Sequence, residues 1–348
     1  MAFSRMFRLS ELCSPRNALF KNCNYEFSPP KNIRTFRRGR SNNDQPKPNI
    51  NSIETPFQDV SLGTSQLKPI NLLKPLGFTI GFSAACFVGA TIWEYETMRA
   101  HAKKMLKKPV RLFKRHAEDL HSKSNMFVRE IKEKWESLTP GEKVFVPICA
   151  LNVLVFGAWR IRSLQPFMLR YFCSNPGSKS VCLPMILSTF SHYSGFHLLA
   201  NMYVLHSFST GAVHSLGKEQ FLGLYLGAGV ISSFTSYVYK VVTKQPGLSL
   251  GASGAIMAIL GYVCTQYPDT RLGIILVPLF TFSAGAAIKV IVGIDTAGVL
   301  MGWKFFDHAA HLGGAACGII WALWGNQHIW AKREPILEYW HEFRGSIK

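Results

Sequence analysis

Long blocks without charged side chains are the feature that most constrains this chain. Five contain no Asp, Glu, Lys or Arg: Pro75–Trp93, Val144–Trp159, Leu183–Val213, Phe221–Tyr239 and Leu248–Tyr267. Two more contain only isolated charges: Thr281–Gly302, with Lys289 and Asp295, and Phe305–Ala331, with Asp307. Because about 20 apolar residues cross the hydrocarbon core of a bilayer, these blocks predict about seven spans and a polytopic membrane protein.

The block Leu183–Val213 has 31 residues, which is too long for one span. Its first part contains Pro184 and is predicted to be a loop or interfacial segment that leads into a helix near Ser194–Val213. The predicted fold is therefore all-α and polytopic, with one extra transmembrane helix before a six-helix bundle (1+6, seven spans). No internal repeat is visible, which argues against a transporter built from duplicated halves.

The net charge of +19 comes mostly from outside these blocks. Residues 1–48 hold ten Lys and Arg against three acidic residues, with many Ser and Asn and no long apolar core. That composition is typical of a mitochondrial presequence and not of a secretory signal peptide. Nucleic-acid binding is the competing explanation for basic charge, but no recognition module accompanies it, so no nucleic-acid partner is expected.

The composition changes along the chain predict six regions. The basic segment 99–143 holds 13 Lys and Arg against six acidic residues, and it is predicted to form one or two helices on the membrane surface or in solvent. The regions are a presequence (1–48), an exposed linker (49–72), an extra transmembrane helix (73–98), the basic surface-helical loop (99–143), a six-helix core (144–331) and a C-terminal tail (332–348).

Strongly polar side chains inside apolar blocks are few, and they cluster. Because such side chains cost free energy in a bilayer, each needs a reason. They occur in "SHYSGFHLLANMY", in "SLGASGAIMA" and in "FFDHAAHLGGAACG": His192, His197, Asn201, Ser253, Asp307, His308 and His311.

Ser253 has two interpretations. With Gly251 and Gly254 it can be one of three small residues that let membrane helices approach closely. It can also be a nucleophile, since "GASG" resembles the nucleophile elbow of soluble hydrolases. That elbow needs a strand before the serine, whereas an uncharged run of 20 residues predicts a helix.

His311 favours the nucleophile. A serine hydroxyl needs a base within hydrogen-bond reach, and histidine is the usual one. His311 precedes the small pair Gly314 and Gly318, and Ser253 precedes Gly254, so both lie beside helix faces that permit close contact. A structural histidine that bonds to a neighbouring helix is the alternative.

His197 and Asn201 are four residues apart and share one face of a helix. Both can donate hydrogen bonds, and with the backbone N–H of Ser253 they could surround an oxyanion, where one donor is worth about 3 kcal/mol. Either residue alone could instead be a polar contact between helices.

The motifs "HLLAN", "GASG" and "AHLGG", in this order on alternate helices, resemble those of the rhomboid intramembrane serine proteases. From about Arg160 to the end, the chain resembles the mitochondrial branch of that family. The isolated first span and the presequence fit the same branch, in contrast to the six-helix bacterial form.

The resemblance implies a role for each matched residue. Ser253 would be the nucleophile and His311 the general base and acid, with His197, Asn201 and the Ser253 N–H as the oxyanion site. The implied supporting residues are His192, Gly251 and Gly254. Many bacterial relatives have a tyrosine four residues after the serine, but this chain has Met257, so another group must orient His311. Asp307 is assigned no catalytic role.

The resemblance also implies the biology. It implies a multi-pass protein of the mitochondrial inner membrane that cleaves single-pass membrane proteins within or near their transmembrane helix. The implied roles are in mitochondrial quality control, apoptosis and inner-membrane dynamics. Membrane lipid is the other expected partner, and no cofactor and no metal are expected, since there is no HExxH motif. The alternative is a catalytically inactive relative that binds or escorts clients, although such relatives typically lack the serine or the histidine.

Three expectations concern access and the remaining residues. Hydrolysis at membrane depth predicts a hydrated pocket lined by His192, His197, Asn201, Ser253 and His311. The fifth span of the bundle, with three glycines, is the predicted lateral gate. The sequence leaves the oligomeric state open, and Cys173 and Cys182 could pair in an oxidising compartment.

Overall fold

The computed structural model of the chain describes residues 68–106, 126–274 and 277–346. The predicted presequence (1–48), most of the predicted linker (49–72) and part of the basic loop (107–125) lie outside the described residues.

The described residues are mostly helical. The helices are α1 (Leu73–Leu106), α2 (Met126–Ser137), α3 (Pro140–Ala158), α4 (Gln165–Tyr171), α5 (Cys182–Leu187), α6 (Gly195–Thr243), α7 (Ser253–Gln266), α8 (Ala284–Met301), α9 (His308–Ile320) and α10 (Glu334–Ser346). A π-helix, Trp321–Trp330, continues α9. Strand β1 (Arg271–Ile274) pairs antiparallel with β2 (Val277–Ser283) between α7 and α8.

Four helices among the described residues are long and apolar enough to cross a membrane by length and composition: α1 with its preceding turn, α3, α6 and α8. The 49 residues of α6 would extend about 73 Å as one straight helix, far more than a bilayer core of about 30 Å. Gly217, however, has φ 77° and ψ 163° inside α6, which divides it into two helical segments. The predicted polytopic, helical membrane protein is confirmed at this level.

The chain before α6 follows its prediction. Residues after Val181 form the short helix α5 and a 3-10 turn at Ser188–Phe190, and α6 begins at Gly195. The hydroxyl of Ser194 accepts the N–H of His197 at 3.4 Å, which satisfies one of the unpaired N–H groups of the first turn. The long uncharged block is therefore an irregular segment followed by a helix.

One predicted span starts later than its sequence suggests. The block Leu248–Tyr267 becomes helical only at Ser253, because the residues before it bond to other parts of the chain. Ser249 exchanges two backbone hydrogen bonds with Ser174, at 2.8 and 3.0 Å, and Gly251 donates its N–H to Ser188 at 2.9 Å. Gly251 also has φ 134°, which favours glycine. The expectation that Ser253 lies inside a continuous helix is therefore wrong, since Ser253 is the first residue of α7.

Helices α7 and α9 touch through their backbones. A Cβ atom on Gly314 would overlap the carbonyl group of Gly254, and a Cβ on Gly318 would overlap that of Ala258. A Cβ on Gly261 would lie 2.8 Å from the carbonyl oxygen of Ala315. Gly254, Gly314 and Gly318 are small residues that the sequence singled out, and their predicted close contact is confirmed, whereas the contact at Gly261 was not predicted.

The loop that carries Cys173 contains no disulfide. Cys173 and Cys182 are both free thiols, and Cys173 is buried. Burial raises the pKa of the Cys173 thiol to about 12, so the reactive thiolate is scarce at neutral pH.

Candidate active site

Ser253 and His311 meet across the contact between α7 and α9. The distance from His311 Nε2 to Ser253 Oγ is 2.9 Å. Ser253 opens α7, and His311 lies in the first turn of α9. The structure thus brings the two predicted catalytic side chains within hydrogen-bond distance, which is the geometry that a nucleophile and its base require.

The second segment of α6 contacts both α7 and α9 and fixes their relative position along the helix axes. Ser232, in the second segment of α6, donates its hydroxyl hydrogen to the carbonyl oxygen of Ala310 at 2.9 Å. A Cβ on Gly254 would overlap that same Ser232 side chain. The position of His311 therefore depends on glycine at position 254, which leaves room for Ser232, and on the hydrogen bond that Ser232 donates to Ala310, the residue before His311.

Asp295 of α8 holds the other side of the His311 ring. Its Oδ1 lies 3.2 Å from His311 Nδ1 and 2.6 Å from His308 Nδ1, and the carboxylate is buried. An ionised carboxylate only accepts hydrogen bonds, so this network assigns the hydrogen of each neutral ring to Nδ1. His311 Nε2 is then the acceptor that faces the hydroxyl of Ser253.

The ring face of His311 is covered by Phe306. The two ring centroids are 6.0 Å apart, with 35° between the planes. Met257, at the position of the bacterial tyrosine, is buried within α7. The group that orients His311 is therefore Asp295, assisted by Phe306, and sequence reasoning missed both. The available signal was a carboxylate in the middle of an apolar span, which is costly unless it has a partner.

Asp307 takes part in a different network. Its Oδ1 accepts the N–H of Ala310 at 3.0 Å and caps α9, while Oδ2 accepts the hydroxyl of Ser236 at 2.5 Å. Oδ2 also contacts Ser249 and lies 3.7 Å from Lys240 Nζ. Asp307 therefore caps α9 and bonds to Ser236, and its lack of a catalytic role stays a prediction.

Asp295, His308 and His311 form the group of possible metal ligands found among the described residues, with their donor atoms within 4.8 Å of one another. Each imidazole contacts Asp295 Oδ1 through its Nδ1, whereas Nε2 of His308 is buried without a hydrogen-bond partner among the described residues. His308 also packs against Gly298, where a Cβ would lie 2.5 Å from its ring. The expected absence of a metal stays a prediction.

The two side chains predicted to bind an oxyanion have different contacts. His197 packs on Gly251, where a Cβ would be 2.9 Å from the ring carbon Cε1, so only glycine leaves room for the imidazole. Asn201 instead donates its amide to the carbonyl oxygen of His197 at 2.9 Å, along its own helix. The Ser253 N–H belongs to the first turn of α7, where N–H groups have no partner within the helix. This bond uses one of the two hydrogens of Asn201 Nδ2 and leaves the other for an oxyanion.

His192 supports the segment before the nucleophile. It is fully buried, and its Nε2 accepts the N–H of Ala252 at 3.4 Å. Its ring also meets the His197 ring edge to face, with centroids 5.0 Å apart. This geometry fits the supporting role that the resemblance implied.

A cavity of about 640 Å³ opens beside the dyad. Its lining includes Ser253, His197 and His311, but neither His192 nor Asn201, so the predicted lining is only partly correct. Polar and aromatic side chains of the loop between α8 and α9 also face it, including Trp303, Phe305 and Asp307. Both catalytic candidates therefore line one cavity that is large enough to hold water molecules.

Comparisons with known proteins agree with this geometry. A model described as the rhomboid domain matches residues 180–327, which include every residue discussed at the dyad. The chain is 52% identical over 278 residues to the human "Presenilin-associated rhomboid-like protein, mitochondrial", covering 79% of this chain and 72% of the relative. It is 50% identical over 293 residues to the bovine protein of the same name, covering 83% and 76%.

A more distant relative points the same way. "Rhomboid protein 1, mitochondrial" of Saccharomyces cerevisiae is 30% identical over 195 residues, which cover 55% of this chain and 56% of the relative. Together with the apolar helices, these similarities make the chain a mitochondrial multi-pass membrane protein. The chain belongs to the rhomboid family and stands among its mitochondrial members.

Proposed function

We propose that the protein is an intramembrane serine endopeptidase of the mitochondrial inner membrane. Membership of the rhomboid family supports an intramembrane protease role, and the 2.9 Å contact between Ser253 Oγ and His311 Nε2 is the observation that carries the proposal. The implied clients are single-pass membrane proteins connected with mitochondrial quality control, apoptosis and inner-membrane dynamics.

In the proposed reaction, Ser253 Oγ attacks a peptide carbonyl carbon while His311 Nε2 takes the hydroxyl proton. Asp295 stabilises the resulting imidazolium and keeps the ring aimed at the serine. The carbonyl oxygen becomes an oxyanion, for which we propose the Ser253 N–H, His197 and Asn201 as donors. Asn201 donates through the second hydrogen of Nδ2, while the first stays bonded to the carbonyl oxygen of His197.

Collapse of the tetrahedral intermediate completes the acylation of Ser253, which is the first half of the proposed reaction. His311 Nε2 gives its proton to the leaving amine, and the acyl group stays on Ser253. A water molecule from the cavity then attacks the ester with His311 again as the base, which releases the acid product and restores the serine hydroxyl.

The substrate must expose a peptide carbonyl. A transmembrane helix hides its carbonyl groups in hydrogen bonds to the residue four positions later, so it has to unwind at the cleavage site. We propose that it enters beside α8, where Gly285, Gly293 and Gly298 lie. A Cβ on Gly293 would meet no atom within 4 Å, so this face of α8 is open.

We also propose the finer architecture of one helix plus six. The break at Gly217 supports counting α6 as two spans, and α7 and α9 supply the remaining short segments around the dyad. We propose the six regions from presequence to C-terminal tail as the sequence predicts them, except that α1 runs on to Leu106, α3 starts at Pro140 and the tail contains α10. We place the N-terminus in the matrix, as the family resemblance implies.

A fluorophosphonate probe tests the assignment without a known substrate. The full chain in mild detergent is labelled beside Ser253→Ala and His311→Ala. Labelling that disappears in both variants is expected, since the probe reacts only with an activated serine. Equal labelling of all three would reject Ser253 as the nucleophile. Unlabelled wild type, with an active rhomboid protease labelled in parallel, would favour a protein that binds or escorts clients.

A further inference from the structure

A second cavity lies between the extra helix α1 and the core, and neither Ser253 nor His311 lines it. It has a volume of about 120 Å³ and is bounded by α1, the second segment of α6, and the π-helix with the end of α9. Gly223 and Gly227 of α6 face α1 here, and a Cβ on Gly227 would lie 3.8 Å from Ser83. Apart from these glycines and from Ser83, Gln220 and Trp321, the wall consists of Phe87, Ala90, Leu224, Ala228, Ile231, Cys317 and Trp330.

Two polar groups of this wall have no hydrogen-bond partner among the described residues. They are the hydroxyl of Ser83 on α1 and the indole N–H of Trp321 at the start of the π-helix, and both atoms are buried. Gln220, a third polar residue of the wall, donates to Asn326 Oδ1 at 3.0 Å. Native proteins rarely leave buried polar atoms unpaired, so two in one cavity indicate an occupant.

The occupant must accept a hydrogen bond and must otherwise be apolar. An indole N–H can only donate, whereas the hydroxyl of Ser83 can donate or accept. A carbonyl oxygen has two lone pairs and brings no donor of its own that would go unpaired beside the apolar wall. One water bonded to Ser83 and Trp321 would take up only about 10–15 Å³ of this volume, so most of the cavity, whose wall is otherwise apolar, would stay empty.

The size of the cavity and its depth in the membrane further restrict the type of molecule that it can bind. Apolar cavities of about 150 Å³ bind benzene, so this cavity suits one ring or a short chain. Ser83 lies ten residues after Leu73, which is about 15 Å along α1 and near the middle of a hydrocarbon core of about 30 Å. The ester carbonyls of lipids lie at the membrane interface instead. We infer that the cavity between α1 and the core binds a ring-sized lipophilic carbonyl compound that reaches it through the bilayer.

A matched pair of fluorinated probes tests this inference. The full chain in detergent is titrated with 4-fluoroacetophenone and with 1-ethyl-4-fluorobenzene, which has similar size and no acceptor. Fluorine NMR reports binding after subtraction of protein-free micelles. The ketone is expected to bind about threefold to tenfold more tightly than the hydrocarbon, the ratio that one net hydrogen bond gives.

Three variants locate the binding. Trp321→Phe and Ser83→Ala each remove one donor and keep most of the shape, so each is expected to reduce the preference for the ketone. Trp324→Phe is the control, because Trp324 is exposed, stacks on His328 and lies outside the cavity wall. It is expected to leave the preference unchanged.

Equal affinity for the two probes would overturn the inference. Binding of neither probe would also overturn it, because the cavity would then hold water or nothing. Loss of the preference in Trp324→Phe as well would also overturn it, because the binding would then lie elsewhere. None of these measurements requires catalysis, so their result is independent of the proposed protease activity.

Discussion

At the residue scale, one carboxylate oxygen of Asp295 serves two imidazoles, those of His308 and His311. A hydrogen bond to Nδ1 fixes which nitrogen of His311 faces the serine and balances the charge that the ring gains in the reaction. Asp295→Asn keeps the shape but offers an amide that can present N–H where an acceptor is needed. We expect fluorophosphonate labelling to slow at least about tenfold, measured as a rate in detergent.

A merely structural role for Asp295 would affect folding first. We therefore expect the thermal midpoint of Asp295→Asn to fall far less than its labelling rate does. Asp269→Asn is the matched control, since Asp269 is exposed at the end of the turn after α7. Labelling at the wild-type rate in Asp295→Asn would show that the ring of His311 is oriented without this carboxylate.

Asn201 gives a second prediction at this scale. Its Nδ2 donates one hydrogen to the carbonyl oxygen of His197, and we propose that the second hydrogen bonds to the oxyanion. Loss of one oxyanion donor costs about 3 kcal/mol, so Asn201→Ala should lower the rate constant for peptide cleavage about a hundredfold. The rate is measured on a single-span reporter that the wild type cleaves.

Asn152 provides the control for that experiment. Its amide makes the same local bond, to the carbonyl oxygen of Ile148 four residues earlier at 2.8 Å, but on α3. Asn152→Ala therefore removes a similar bond without removing the proposed donor. Equal rate losses in Asn152→Ala and Asn201→Ala would mean that only helix packing had been disturbed.

At the element scale, the contact of α7 with α9 depends on glycine. A Cβ on Gly318 would overlap the carbonyl group of Ala258, so Gly318→Ala must push the helices apart. Such overpacking costs about 1–3 kcal/mol, and the separation should also break the contact between Ser253 and His311. We expect a lower thermal midpoint and a loss of labelling together.

Gly293→Ala is the control on α8. A Cβ there would meet no atom within 4 Å, and alanine favours helix over glycine by up to about 1 kcal/mol. Gly293→Ala should therefore keep its labelling, and its thermal midpoint should stay the same or rise. If Gly318→Ala labels at the wild-type rate, then the dyad does not depend on this close approach.

The helices and strands could be predicted from the sequence where a single physical rule determines their type. Uncharged runs and small-residue pairs predicted the apolar helices and the meeting of Ser253 with His311. The strands β1 and β2 were missed, because their residues are a short apolar run that pattern alone does not separate from a helix. Asp295 was missed for a different reason, since its partners are on α9, 13 and 16 residues away, and no local spacing connects them.

At the scale of the whole molecule, the extra helix α1 is fastened at one end by the C-terminal helix. Arg333 Nη2 lies 2.8 Å from Glu94 Oε2, and Trp340 Nε1 donates to Glu96 Oε1 at 3.0 Å. Arg344 also contacts Glu96. We name these five residues the clasp. Its ion pairs are partly buried, so they are less screened by solvent than exposed pairs.

The ion pair between Arg333 and Glu94 can be tested by exchanging the two charges. Arg333→Glu places a second carboxylate beside Glu94, and we expect the thermal midpoint of the full chain in detergent to fall by a few degrees. Adding Glu94→Arg reverses the pair, so the double variant should recover most of the loss. Arg170→Glu is the control, because Arg170 on α4 takes no part in the clasp. Additive losses in the double variant would mean that this pair does not hold α1 to the C-terminal helix.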